Sequence, residues 1–306
     1  MEYDVYGQTA SDEAAPILGI SIIAVVSHHV SFLFHHGARS HTIAFGSAMA
    51  SASRKGGSMK RKVRTPYFET GVKCYIYGDS VLQLAMAANA ASIKHDVDVL
   101  FIAPYVDIRR IRECCPELVI IAPFMDTLLP GRGMGCVLPE ALREAGADGV
   151  VINHCEHPMI NHRERAISLD EIEEGIRRAN ACDLLSFCCA NTIEDAKAIA
   201  RLHPDILNPE PSELIGSGQA SDIGYVKEVI RAVKAIDSKI LVEQAAGITT
   251  AQQVYDFIMA GSEAAGSASG LLNSSDPLTL LDEMVAAVRK AKNDLDQNKE
   301  ANYGLS

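Results

Sequence analysis

Residues 208–219 read NPEPSELIGSGQ, which sets one carboxylate, Glu210, between two prolines and ahead of a Gly-Ser-Gly run. Proline fixes φ, so the acid sits on a stiff segment. Gly216 and Gly218 free the chain beyond it to swing and to offer backbone N–H groups. That combination suits a site that holds a base still and folds N–H donors over an anion. A second cluster, Asn153-His154-Cys155-Glu156, ends an apolar run. A carboxylate beside a carbon acid, with a neutral donor at the adjoining oxygen, is what proton transfer between neighbouring carbons requires. The stretch HCEHPMINH (154–162) also offers His154, Cys155, Glu156, His157 and His162 as metal ligands. Their spacing matches no standard zinc pattern and Pro158 breaks any helix, so the expectation is no metal and no cofactor.

A repeating frame has to position these groups. Short apolar runs at 72–77, 98–104, 118–124, 149–154, 184–189, 205–210, 239–244 and 263–269 read as strands, the last weakly because Gly and Ala are poor strand formers. Amphipathic helical stretches lie between them, several opening on Ser, Thr or Asp. Continuous apolar strands alternating with helices imply parallel pairing covered on both faces. Eight such units fit a closed (β/α)8 barrel, and no G-x-G-x-x-G follows the first strand to suggest a dinucleotide site. The GRGMG of residues 131–135 follows the third strand and reads as a flexible loop. Chemistry in such a barrel sits at the strands' C-terminal ends. That rule brings together Lys73 in the first strand, His154 and Glu156 after the fourth, and Glu210 closing the sixth. Ala268, Ser269 and Gly270, closing the eighth, offer small side chains and free N–H groups as a phosphate seat.

Bulk properties bound the partners. The 306 residues are 48% apolar, with 28 Lys and Arg against 39 Asp and Glu, a net charge of −11. That balance argues against nucleic acid or an anionic membrane surface as partner. The eight cysteines show no C-x-x-C spacing and suit reduced thiols in the cytoplasm. Residues 1–58 differ from the rest. PILGISIIAVV (16–26) is too short to span a bilayer, and the acids before it are the wrong sign for a signal peptide. The expectation is an N-terminal extension over 1–58, disordered or not native, with Met59 opening a single barrel domain over 59–306.

In this order, the motifs resemble the triosephosphate isomerase family, in its archaeal-type and related bacterial forms, over about residues 62–292. VLPEALREAGADGVVINHCEHPM resembles the segment leading into the family's catalytic histidine, with NHCE where the family has His-Ser-Glu. EPSELIGSG is similar to its catalytic glutamate and mobile lid, KCY to its first-strand lysine, and AAGI and SASG to its phosphate-binding ends. The resemblance implies Glu210 as general base, His154 as neutral electrophile, Lys73 as cation for phosphate and enediolate, and Glu156 as their organiser. It implies phosphate binding by N–H groups at Gly216, Gly247, Ser269 and Gly270, beside Ala268. The implied reaction interconverts dihydroxyacetone phosphate and D-glyceraldehyde 3-phosphate. Alternatives are isomerisation of another short ketose phosphate, such as an erythrulose phosphate, or a catalytically silent phosphate-binding barrel. Departures motivate them: Gly71 stands where the family has asparagine, Pro123 where it has glutamine, and Ala245-Ala246 where glycines are usual. The resemblance also implies a homodimer, or else a tetramer, docked through the loop Thr127 to Cys136.

Overall fold

The computed structural model describes residues 25–26, 29–36, 39–44, 59–157 and 167–303. The chain divides into two compact units, Met1–Ser58 and Met59–Ser306. In the first, strands Val25–Val26, His29–His36 and Arg39–Ala44 form an antiparallel sheet in sequence order. Otherwise the disorder expected for residues 1–58 falls outside the described residues, as does His162.

The second unit is a closed barrel of eight parallel strands. They are β1 (Tyr67–Gly71), β2 (Val99–Ile102), β3 (Val119–Ala122), β4 (Gly149–Ile152), β5 (Leu185–Ala190), β6 (Ile206–Pro209), β7 (Leu241–Gln244) and β8 (Ala264–Gly266). Pairing follows sequence order and closes through Ala264↔Tyr67 and Gly266↔Glu69 between β8 and β1. Successive strand residues face opposite ways, and this divides the core in two. Tyr67, Leu100, Ile121, Val151, Phe187 and Ile206 fill the barrel interior. Phe68, Phe101, Ile120, Val150 and Leu207 face a larger apolar layer shared with the helices. The neighbours Cys188 and Cys189 fall on either side of this division, both buried and unpaired.

Helices α1 (Asp79–His95), α2 (Ile108–Cys114), α3 (Pro139–Ala145), α4 (Leu169–Ala181), α5 (Ile193–Ala200), α6 (Ile223–Lys234) and α7 (Ala251–Met259) cover the sheet. After β8 come the short α8 (Ser269–Leu272) and the long α9 (Pro277–Tyr303). The Ser, Thr and Asp expected at helix starts act as caps. Ser168 and Thr250 close capping boxes with Glu171 and Gln253, and Thr192 and Asp222 accept from the first-turn N–H groups of α5 and α6. At the strands' N-terminal ends, aspartates bind the neighbouring strand. Asp148 accepts from Ile120 N–H, and Asp205 from Ser186 N–H. Arg112 and Lys60 balance their charges. Polar investment at that end serves stability and leaves the other end for chemistry. Among the described residues, no helix is long and apolar enough to cross a membrane.

One strand differs from expectation. The first is Tyr67–Gly71, not 72–77. The β-branched and aromatic residues of VKCYIY have strand propensity, yet they form a turn whose Tyr75 and Tyr77 are exposed at the rim. YFETG hides its strand character because an acid sits at its centre. Since Tyr67 faces the interior, Glu69 and Gly71 do too.

A second acid, Glu243 of β7, is fully buried, and neither of its carboxyl oxygens has a hydrogen-bond partner among the described residues. Burial raises its pKa well above 4.5 and the negative fields of Glu69 and Glu210 add to that, with the nearby Tyr67 hydroxyl opposing. An acid with a raised folded pKa stabilises the fold fully only below its unfolded value, and that stability is lost as pH climbs toward the folded one. Glu243→Gln cannot ionise. It should raise Tm by roughly 5 °C or more at pH 9, and by much less at pH 5. Equal shifts in calorimetric scans at the two pH values would exclude ionisation as the cause.

Candidate active site

The C-terminal ends of the strands open into a cavity of about 830 Å³, within the range of small-molecule sites. All nine residues singled out from the sequence line it or border it. Lys73, His154, Glu156 and Glu210 come from the β1, β4 and β6 ends, and Gly216, Gly247, Ala268, Ser269 and Gly270 from the loops after β6, β7 and β8.

Glu210 follows β6 directly, its N–H bonded to Ala190 O at 2.9 Å, and is only 7% exposed. Burial pushes its carboxyl up to about 7, with Lys73 pulling the other way and Glu156 adding to the rise. A carboxyl so placed can accept a proton near neutral pH. His154 Nε2 lies 3.5 Å from Glu210 Oε1. The other ring nitrogen, Nδ1, accepts the backbone N–H of Glu156 at 3.3 Å. An acceptor nitrogen carries no proton, so the ring's hydrogen sits on Nε2 and points into the site. Burial holds His154 well below its ordinary pKa, and Lys73 adds to that, so the ring is a neutral donor at physiological pH.

Lys73 lies two residues past β1, not within the strand as expected, in a left-handed conformation with φ 45°. Its ammonium nonetheless reaches the cavity and meets Glu156 Oε1 at 3.0 Å. Burial opposes its charge, but the bond to Glu156 and the fields of Glu156 and Glu210 outweigh burial and leave its pKa raised. The site therefore combines a buried acid, an uncharged N–H donor and a cation.

The loops above are held by backbone geometry. A single 3₁₀ turn, Ser212–Leu214, follows Glu210, and Ser217 Oγ ties back to Leu214 O at 2.8 Å. Gly216 follows with φ 73°, and the far end of the loop rests on Gly247, where an added Cβ would lie 1.9 Å from Gln219 O. With φ at 70°, position 247 has both conformational and steric reasons to be glycine. Ser267 Oγ joins the loops after β7 and β8, donating to Ile248 O at 2.7 Å and accepting from Leu271 N–H at 3.1 Å.

The sequence reading missed Glu69 and Asn208, both buried and both lining the cavity. Glu69 was findable by counting back in steps of two from Lys73, once the strand is placed at 67–71.

The comparisons agree with this frame. The family model described as Triosephosphate isomerase matches residues 69–253. The triosephosphate isomerase of Methanobacterium bryantii is 32% identical over 229 residues, 73% of this chain and 97% of that protein. That of Sulfurisphaera tokodaii is 32% identical over 218 residues, 70% of this chain and 91% of that protein. The crystal structure of triosephosphate isomerase from Bartonella henselae covers 72% of this chain and 99% of its own, with TM-score 0.56 and 17% identity, a likeness of fold alone. With its family model spanning most of the barrel and archaeal relatives matched over nearly their whole length, the chain belongs to the triosephosphate isomerase family and is an isomerase.

Proposed function

We propose that the barrel, residues 59–306, interconverts dihydroxyacetone phosphate and D-glyceraldehyde 3-phosphate through an enediolate. The observation that carries this reading is the approach of His154 Nε2 to Glu210 Oε1, 3.5 Å, beside the ammonium of Lys73 in one cavity. Glu210 removes a proton from the hydroxyl-bearing carbon while His154 Nε2–H supports the neighbouring carbonyl oxygen. Glu210 then returns the proton to the adjacent carbon, while the hydroxyl proton passes between the two oxygens by way of the His154 ring, so that carbonyl and hydroxyl exchange places. The two compounds are isomers, so the step balances without a cofactor. Lys73 offsets the charge of phosphate and enediolate, and Glu156 steadies Lys73 and the His154 ring. Backbone N–H groups at Gly216, Gly247, Ser269 and Gly270, beside Ala268, take the phosphate oxygens. Closure of the Gly-rich loop excludes water, which protects an enediolate from losing phosphate. In D2O, turnover should place solvent deuterium on the carbon next to the carbonyl. Phosphate-analogue binding with no exchange and no turnover would instead favour the silent barrel.

A homodimer is part of the same proposal. The loop after β3 is closed at its neck by two hydrogen bonds of 2.8 Å between Asp126 and Val137. Buried Arg178 holds it from below through the carbonyls of Thr127 and Leu128. This braced loop exposes Leu129 and Met134, and the loops after β1 and β2 expose Tyr77 and Val106. A rigid loop that displays apolar side chains at the rim fits a docking element. Sedimentation should give a dimer, and Met134→Glu with Leu129→Glu should shift it toward monomer. A wild-type monomer at micromolar concentration overturns the assignment.

A further inference from the structure

At the floor of the cavity lies a carboxyl that the reaction above leaves unused. Glu69 is 4% exposed and lines the same cavity as Lys73, His154 and Glu210. No group among the described residues hydrogen-bonds its carboxyl. The space around it is cut to fit. A Cβ on Gly266 of β8 would lie 2.1 Å from Glu69 Oε2, and a Cβ on Gly71, the next inward position of β1, would lie 3.5 Å from Oε1. Glycine at 266 is therefore what admits the carboxyl, and glycine at 71 leaves it open toward the strand's C-terminal end.

The carboxyl therefore faces the cavity with no protein donor or acceptor engaged, and a group that entered there could satisfy it. Burial and the charge of Glu210 both favour its protonated form, with Lys73 opposing. A neutral carboxylic acid donates through one oxygen and accepts through the other, which matches a hydroxyl group. A three-carbon ketose phosphate has no oxygen to spare for it. In the reaction proposed above, the oxygens on its two reacting carbons are the ones His154 and Lys73 would serve, and the rest belong to the phosphate ester. A ketose phosphate longer by one hydroxymethylene unit brings one more hydroxyl, and a cavity of about 830 Å³ has room for it.

We propose that Glu69 is a specificity-determining residue whose carboxyl hydrogen-bonds an additional hydroxyl of the substrate, so that the site accepts four-carbon ketose phosphates beside the triose. This rests on the isomerase reading of the site and names its substrate class.

The test compares kcat/KM for dihydroxyacetone phosphate with that for D- and L-erythrulose phosphates, in wild type, Glu69→Met and Glu69→Gln. Methionine fills the same space without polar groups, and glutamine keeps one donor and one acceptor. Wild type should turn over at least one tetrulose phosphate as well as the triose. Glu69→Met should lower the tetrulose-to-triose ratio by about 10–100-fold, chiefly through KM, and Glu69→Gln should recover most of it. If Glu69→Met does not fold, Glu69→Ala is read in its place. A ratio within threefold of wild type in the apolar variant, or no tetrulose turnover by wild type, overturns the proposal while triose turnover stands. Absence of solvent-deuterium exchange with every substrate would instead remove the isomerase reading itself.

Discussion

Replacing Glu210 by Gln should lower kcat by roughly a thousandfold and abolish deuterium exchange into substrate, with KM changed by only a few-fold. Glutamine keeps the volume and one hydrogen-bonding oxygen of the side chain, so substrate still binds. It cannot accept a proton, so the step that makes the enediolate is lost. The pH profile gives an independent reading of the same group. Burial raises the Glu210 pKa to about 7, so the base form is present above that value and is lost as pH falls through it. Wild-type kcat/KM should therefore drop about tenfold per unit below pH 7. The substrate phosphate ionises near 6, about one unit lower, which separates the two limbs. His154 does not set this limb, because burial and Lys73 keep its pKa far below it. Glu210→Gln should leave a residual rate without the acidic limb. An unchanged kcat in that variant would remove Glu210 as the base.

Much of this site was legible because its positions are tied to strand ends, and strand ends show as boundaries of apolar runs. Seven of the eight strands can be placed from apolar runs, purest in β2 to β4 and broken by polar residues in β5 to β7, and strand ends put His154, Glu156, Glu210 and Ser269 at one rim. The exception is instructive. Tyr67–Gly71 carries Glu69 on its inward face, and an acid at the centre of a five-residue run defeats a reading based on hydrophobicity. The adjacent VKCYIY then took the strand's place because its aromatic residues, exposed at the rim, look like core in one dimension. Other features exist only in three dimensions. The His154 tautomer depends on the N–H of Glu156 reaching Nδ1. The need for glycine at 247 depends on a carbonyl 28 positions earlier, at Gln219. Neither fact has a local sequence signature. Residues such as Glu69 and Glu243, which break the local rule for a core, are where function or strain is expected to lie.

Lys73→Met should lower kcat/KM by about a thousandfold or more, and it should also move the acidic limb of the profile upward. The first effect comes from losing the site's cation. A dianionic phosphate and a developing enediolate both gain from a fixed ammonium in a pocket where water does not screen it, so KM rises and kcat falls together. The second effect separates this cause from simple misfolding. Lys73 is the charge that lowers the Glu210 pKa, against burial and against Glu156. Removing it leaves only influences that raise the pKa, so the base loses its proton at a higher pH and the limb shifts above 7. The same change leaves Glu156 without its 3.0 Å partner, so its field on Glu210 is no longer offset by the ammonium. Lys73→Arg keeps the charge and should hold the limb near its wild-type position. It should recover only part of the rate, because a planar guanidinium cannot reproduce the reach of an ammonium seated on a left-handed turn. If Lys73→Met loses activity while its limb stays at 7, the lysine positions the phosphate but does not act on the base.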